Sequence, residues 1–320
     1  MGVLARLREQ AKKNPKLIVF PEYDDDRVLK AVDIINKEGI AKAVLLTPTN
    51  LDKARQEEYT NKFFERKQAK GITIEEARTT MQDTMYYAAM MCKYGHADGF
   101  VSGAKLTTAA VLRAAINCMS IDRREAIVTS CFIMEVPNCE YGEQGMLIYA
   151  DAGVIPAPTS EQLAKIAATA ARFTKEVLDI EPRVAFLSFS SKGSAEGRWI
   201  DKIKEAMEFI KAKNLPFAFD GELQADAAIV PEVAARKLKD SPVAGKANVL
   251  IFPNLEAGNI CYKLTERLAK ARAIGPITLG TVEPCSDLSR GCSVEDIVDA
   301  AAVTVVRAQK RAAGKISAQE

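Results

Sequence analysis

The sequence predicts an α/β fold in two domains, with mostly parallel sheets flanked by helices. Three observations lead there. Short apolar runs alternate with longer helical patterns along the 320 residues, which is the order that βα units produce. The apolar runs are continuous, β-branched and bounded by Pro, Gly or Asp, as in strands covered on both faces. The length suits two ordinary domains, with enough apolar residues for a large core.

Strands are expected at 17–22, 43–48, 99–102, 126–135, 146–150, 184–190, 216–220, 248–253 and 276–279. Helices are expected at 26–38, 74–94, 107–117, 160–179, 200–213, 224–239 and 258–273, with a last one at 293–313. Residues 1–16 read as a charged amphipathic helix. Thr159-Ser160-Glu161-Gln162 has the spacing of a capping box, in which a hydroxyl and an amide side chain satisfy each other's backbone N–H. The weakest joins are the charged stretch 120–125 and the segment 283–287 with Pro284, so domain edges are placed there.

Composition excludes several classes. Net charge is +2, from 44 basic and 42 acidic residues, which gives no reason to expect a nucleic-acid or membrane partner. A small anionic substrate would then need a local basic site. No apolar stretch reaches transmembrane length, and the first residues lack the apolar centre of a signal peptide. The seven cysteines include no CxxC pair and read as reduced thiols in a cytoplasmic protein. His96 is the only histidine, which disfavours zinc and leaves a Ser-His-Asp triad no other base. Neither GxGxxG nor GxxxxGK[ST] occurs. Chemistry must therefore come from Arg, Lys, Ser, Asp and backbone amides.

Five segments can supply it, one of them running through 242–248 to Phe252-Pro253-Asn254 and Gly258-Asn259-Ile260. Asp287-Leu288-Ser289-Arg290-Gly291-Cys292-Ser293 is a turn running into a helix. Unpaired N–H groups and the positive dipole end there suit phosphate, and Arg290 adds a donor fork. The plainer reading is that Ser293 and Asp296 form a capping box only. Ser190-Ser191-Lys192-Gly193 follows a strand, where α/β sheets bind ligands, or is an ordinary polar loop. Residues 97–104 lead to Thr107 and Arg113, which read as a ligand turn or as a helix cap with a surface arginine. The acidic residues of 220–226 could orient a lysine or arginine, hold a metal, or form a solvated rim.

Taken together, ADGFVSGA, LSFSSKGSA, DGELQADAAIVP, SPVAGKANVLIFPNLEAGNICYKL, GPIT and DLSRGCSVEDIV resemble the phosphate acetyl/butyryltransferase family, in its order and spacing, over nearly the whole chain. The resemblance implies a fold of the isocitrate/isopropylmalate dehydrogenase type, with one domain formed by 1–122 plus 286–320 and the other by 123–285. It also implies an active site in the cleft between them and a homodimer. The substrates would be acetyl phosphate, inorganic phosphate and coenzyme A or acetyl-CoA, with no permanently bound cofactor and no metal.

By the same resemblance, Arg290 holds the phosphate, Ser289 stabilises developing charge and Asp296 acts as base toward the thiol. Arg66 and Arg113 contact the coenzyme's phosphates or the substrate, and Ser190, Ser191, Lys192 and Gly193 line the cleft. Lys263 and Arg267 face the coenzyme. Departures from the family's pattern fall at Lys105, Ala110, Ala114, Leu279, Ser286 and Glu283, the last replacing a positive charge. Longer acyl groups (butyryl, propionyl) and a non-catalytic acyl-CoA-binding regulatory domain are the alternatives.

Overall fold

The structure, a computed structural model, describes residues 2–124 and 126–314. The strands are β1 (Leu17–Phe20), β2 (Lys42–Leu45), β3 (Gly99–Val101), β4 (Thr129–Glu135), β5 (Met146–Ala150), β6 (Arg183–Leu187), β7 (Ala218–Leu223), β8 (Val249–Ile251), β9 (Arg272–Leu279) and β10 (Cys285–Ser286). The chain divides into two compact units. The first holds Ala5–Ile121 and the segment that returns at Thr281; the second is built on Asp122–Gly280.

In the first unit the order is β2-β1-β3-β10, and every pairing is parallel. The helix Val294–Ala312 is buried on nearly all sides from Ile297 to Lys310 and packs on the helix Asp26–Lys37 and on β3. Its residue Asp299 is 1% exposed and takes a 2.6 Å bond from Arg8 Nε, which neutralises a charge that burial alone would make costly. The other face is a core of Tyr59, Phe63, Met81, Met85, Phe100, Val111 and Met119.

In the second unit the order is β9-β4-β5-β8-β6-β7. β4 runs antiparallel to both β5 and β9, while β5, β8, β6 and β7 are mutually parallel. The antiparallel pair follows from a connection of ten residues (136–145), which leaves little room for a crossover helix. Phe132, Tyr149, Leu187, Leu223, Leu250 and Phe252 meet Tyr262 of the helix Leu255–Leu268 in one core.

Several expected elements differ. The helix Lys53–Lys67 was not anticipated: it is mostly charged, and only Tyr59, Thr60 and Phe63 are buried, too few to make a periodic stripe. The expected helix 74–94 is two, Ile74–Thr80 and Thr84–Lys93. They are separated where the Asp83 carboxylate caps Met85 and Tyr86. The expected helix 224–239 breaks at Pro231, which starts a new helix at a position where its missing N–H costs nothing. The predicted capping box at Thr159 and Gln162 is present.

Candidate active site

The first unit carries a turn held from three directions. Glu22, just past β1, is 5% exposed, and its carboxylate accepts four backbone N–H bonds, from Gly103, Ala104, Lys105 and Leu106, at 2.7–2.9 Å. That ring of donors fixes the loop after β3. Arg27 then joins this loop to the next: it donates to the Ala104 carbonyl at 2.7 Å and to the carbonyls of Arg290 and Cys292 at 2.8 and 3.0 Å. Asp25 holds its guanidinium at 2.8 Å. Gly103 has φ +114, and a Cβ there would lie 2.2 Å from Asp287 Oδ1, so the two loops touch backbone to side chain.

Beyond this framework stands Arg290. Its carbonyl is anchored, but its side chain is exposed and forms no hydrogen bond or ion pair among the described residues. Ser289 Oγ accepts only a 3.3 Å bond from the Gly291 N–H. Ser293 and Asp296 make the full capping box: Oδ2 of Asp296 accepts from Ser293 N–H and hydroxyl, both at 2.8 Å, and Ser293 Oγ accepts from Asp296 N–H. The plainer reading of that pair is therefore a structural fact. It leaves Oδ1 of Asp296 without a hydrogen bond among the described residues.

Two neighbouring groups titrate unusually. Asp287 is 1% exposed, with neither carboxylate oxygen hydrogen-bonded among the described residues. Burial pushes its pKa from 3.8 to about 7; Thr108 and the Leu288 amide draw it down and the Glu22 charge raises it further. Those two donors lie outside bonding geometry, so burial dominates. The Cys292 thiol is pushed up to about 11, chiefly by burial and against the pull of Arg27. It stays protonated at neutral pH and is a poor nucleophile.

Arg66 donates to the carbonyls of Cys118 and Met119 at 2.5 and 2.8 Å, closing the C-terminus of the helix Thr108–Cys118. Arg113 lies on the exposed face of that helix with no partner among the described residues. Lys105 pairs with Asp24 at 2.5 Å. Glu283 is buried, and its carboxylate accepts from Ser120 N–H at 2.8 Å, so it tethers a loop. His96 Nδ1 meets the Tyr59 hydroxyl at 2.5 Å.

In the second unit the loop after β6 is organised by Glu222, 1% exposed. Its carboxylate accepts from Ser190 Oγ at 3.1 Å and from Gly193 N–H at 2.7 Å, and its carbonyl from Lys192 N–H at 3.1 Å. Ser191 Oγ accepts from Gln224 N–H, and Lys192 Nζ pairs with Asp220. Of the three readings of the acidic segment, orienting a lysine is the one seen. Lys263 Nζ stands 4.8 Å from the centre of the Tyr262 ring, and Arg267 is exposed beside Glu266 at 3.3 Å.

Glu22, Arg27 and Asp287 were not among the predicted site residues. Apart from Asp25, the groups that Glu22 and Arg27 bond lie 77 to 265 positions away in sequence. A charged pair just after an apolar run (Glu22, and Asp25 with Arg27) was the only local signal.

Residues 2–305 match the family described as phosphate acetyl/butaryl transferase. A curated phosphate acetyltransferase of Thermoanaerobacterium thermosaccharolyticum is 50% identical over 97% of this chain and 100% of its own length. That of Acetivibrio thermocellus is 48% identical over 97% and 99%. A phosphotransacetylase structure from Streptococcus pyogenes superposes with a TM-score of 0.86 at 36% identity, covering 96% of this chain and 98% of that one. The fold and the anion-suited turn describe an α/β enzyme acting on a small phosphorylated substrate. The chain belongs to the phosphate acetyl/butaryl transferase family.

Proposed function

We propose that this chain transfers acetyl reversibly between phosphate and coenzyme A, so that acetyl-CoA and phosphate give acetyl phosphate and free coenzyme A. The thiolate of coenzyme A attacks the carbonyl of acetyl phosphate in a ternary complex, and phosphate leaves with the bonding pair. Proximity replaces a covalent enzyme intermediate. The observation that carries this reading, alongside the family match, is Arg290: an unpaired guanidinium on a turn that Arg27 holds rigid, at the start of a 19-residue helix.

In this reading Arg290 and the helix dipole bind the phosphate, and Ser289 supplies a hydroxyl toward charge developing on oxygen. Asp296 directs the thiol through its free Oδ1. An aspartate near ~4 facing a thiol near ~8.5 leaves a gap of roughly 6 kcal/mol for full proton transfer. Stabilisation of the thiolate by the positive groups therefore carries most of the activation. The elevated Cys292 pKa supports direct transfer over an acyl-cysteine. The Ser190–Gly193 loop, Lys263, Arg267 and Arg113 belong to the coenzyme side. Arg66 does so only if substrate displaces the carbonyls it now holds.

A homodimer is part of the proposal. Ile260, Leu264 and Leu268 are 59%, 53% and 80% exposed and lie four residues apart, along one face of the helix Leu255–Leu268. Light scattering tests it. No described helix is long and apolar enough to cross a membrane. All seven cysteines are free thiols, which supports a cytoplasmic setting.

The decisive experiment is coenzyme A-dependent thioester formation from acetyl phosphate, with butyryl phosphate as comparison and Arg290→Ala as control. Turnover with acetyl phosphate and a loss of about 100-fold or more in the variant are expected. No thioester sinks the activity, faster turnover on butyryl phosphate sinks the acetyl assignment, and a fully active variant sinks the anchor.

A further inference from the structure

Glu22, Asp151 and Glu222 are buried carboxylates at or near the carboxyl ends of strands, and each is filled with donors. Glu22, past β1, takes four backbone N–H groups at 2.7–2.9 Å. Glu222, in β7, takes Ser190 Oγ and Gly193 N–H. Asp151, directly after β5 and 2% exposed, takes Thr129 Oγ1 and Ser130 Oγ at 2.9 and 2.5 Å. It also takes the N–H groups of Gly153, Val154 and Ile155 at 2.8–3.1 Å. Asp287, directly after β10, is buried as deeply and takes no hydrogen bond among the described residues. It is also the carboxylate that leads straight into Ser289 and Arg290.

Its surroundings offer no compensation. β3 and β10 run parallel, with Phe100 beside Cys285 and Val101 beside Ser286, and Ser102 N–H donates to the Ser286 carbonyl at 3.1 Å. The next step along the two strands brings Ser102 beside Asp287. The Ser102 hydroxyl is fully buried and likewise without a hydrogen bond among the described residues. On the Gly103 side an added Cβ would stand 2.2 Å from Asp287 Oδ1 and 2.5 Å from the Leu288 nitrogen, so no side chain fits between the loops. The charged groups of the neighbouring elements are engaged elsewhere. Glu22, past β1, adds a second negative charge. Lys105 pairs with Asp24. Arg27, held by Asp25, spends its guanidinium on the carbonyls of Ala104, Arg290 and Cys292. The Cys292 thiol stays protonated.

An ionised carboxylate here is a bare buried charge. It lies three residues before the guanidinium assigned to the phosphate, on the same turn, where it opposes a second anion. A neutral carboxylic acid does not. From this arrangement we infer that Asp287 must carry its proton for the Ser289–Arg290 turn to hold a phosphate, so that anion binding moves a proton from solvent onto the Asp287 carboxylate. The group's pKa of about 7 puts that exchange near neutral pH. Asp287 touches no substrate and is a positioning residue, acting through its charge and through the backbone it shares with Ser289. The inference rests on the acyl-transfer reading for the identity of the anion.

Calorimetry with the full-length protein tests it. Inorganic phosphate is titrated in at pH 6, 7 and 8, in pairs of buffers that differ in heat of ionisation, which counts the protons taken up per anion bound. Wild type is compared with Asp287→Asn, and the ionisation of phosphate itself is common to both. At pH 7 the wild type should take up about 0.5 proton more per phosphate than the variant. At pH 8 about one wild-type molecule in ten is competent, so its Kd for phosphate should be roughly tenfold weaker than the variant's, a gap that closes toward pH 6. Sulfate, a dianion throughout this range, gives a second measurement on the wild type alone should the variant fold poorly. Its affinity should fall about fivefold from pH 7 to pH 8. In coenzyme A-dependent assays run alongside, the difference between the two proteins should grow with pH in KM for acetyl phosphate and not in kcat.

Equal proton counts, with a Kd ratio that ignores pH, overturn the inference and leave the acyl-transfer reading standing. So does sulfate affinity that is level across neutral pH in the wild type. Proton-coupled anion binding in a protein that forms no thioester supports the inference and removes the enzyme reading. Absence of anion binding at every pH removes the turn as an anion site, and the inference with it, while the thioester assay decides the activity separately.

Discussion

Replacing Asp287 by Asn should make the protein more stable, and more so as pH rises. The side chain is almost fully buried with both oxygens unsatisfied, and its pKa stands at about 7 against an ordinary 3.8. A folded state that holds this proton more tightly than the unfolded chain binds more protons between those two values, so stability falls as pH rises through that window. Below about 3.8 the group costs nothing from ionisation. Above about 7 the full penalty applies, and the distance between the values, at 1.36 kcal/mol per pH unit, makes it about 4 kcal/mol at most. Asparagine keeps the shape and cannot ionise. Urea unfolding of both proteins at pH 4, 5.5, 7 and 8 should show a difference near zero in acid, growing to as much as ~4 kcal/mol in favour of the variant at pH 8. Because Glu176 and Glu283, whose pKa values burial also raises, are common to both proteins, the difference isolates Asp287. A difference that does not change with pH would refute the account and place a water or a moving donor beside the carboxylate.

Three further outcomes are expected. Asp296→Asn keeps an oxygen able to accept from Ser293 N–H. The midpoint of thermal unfolding should move by what a cap is worth, about 1 kcal/mol or less, while kcat falls at least tenfold; equal small effects on both would leave Asp296 as a cap only. Cys292→Ala should keep turnover within about threefold, since a buried thiol with pKa about 11 is not the acyl acceptor, and trapped acyl-enzyme on a quenched gel checks this directly. Glu22→Gln turns one acceptor oxygen into a donor that faces two N–H groups, so unfolding in urea should show a loss of about 3 kcal/mol or more, with activity lost alongside.

Much of this molecule was legible along the chain. Continuous apolar runs marked nine of the ten strands, because residues buried on both faces leave a local signature. Ser293 with Asp296 and Thr159 with Gln162 announced their capping boxes, since a cap is completed within four residues. The DLSRGCS turn is local in the same way, running directly into the helix that Ser293 caps. Where tertiary packing supplies the partner, the local signal vanished: the helix Lys53–Lys67 has a short apolar stripe, and β10 is two residues long and exists because β3 pairs with it.

The functional surroundings of the turn were decided by the fold. The resemblance gives Arg66 and Arg113 the same role toward the coenzyme or substrate, yet Arg66 is bound to two carbonyls at a helix end while Arg113 has no partner among the described residues. Glu283 suggests a charge reversal in a phosphate site and is in fact buried against Ser120 N–H. The cradle that Glu22 offers to residues 103–106, the Arg27 clasp and the raised pKa of Asp287 all depend on groups distant in sequence. Local patterns record backbone conformation and burial period, which neighbours set. Desolvation and charge pairing depend on which loops meet, and only the assembled sheet order brings those loops together.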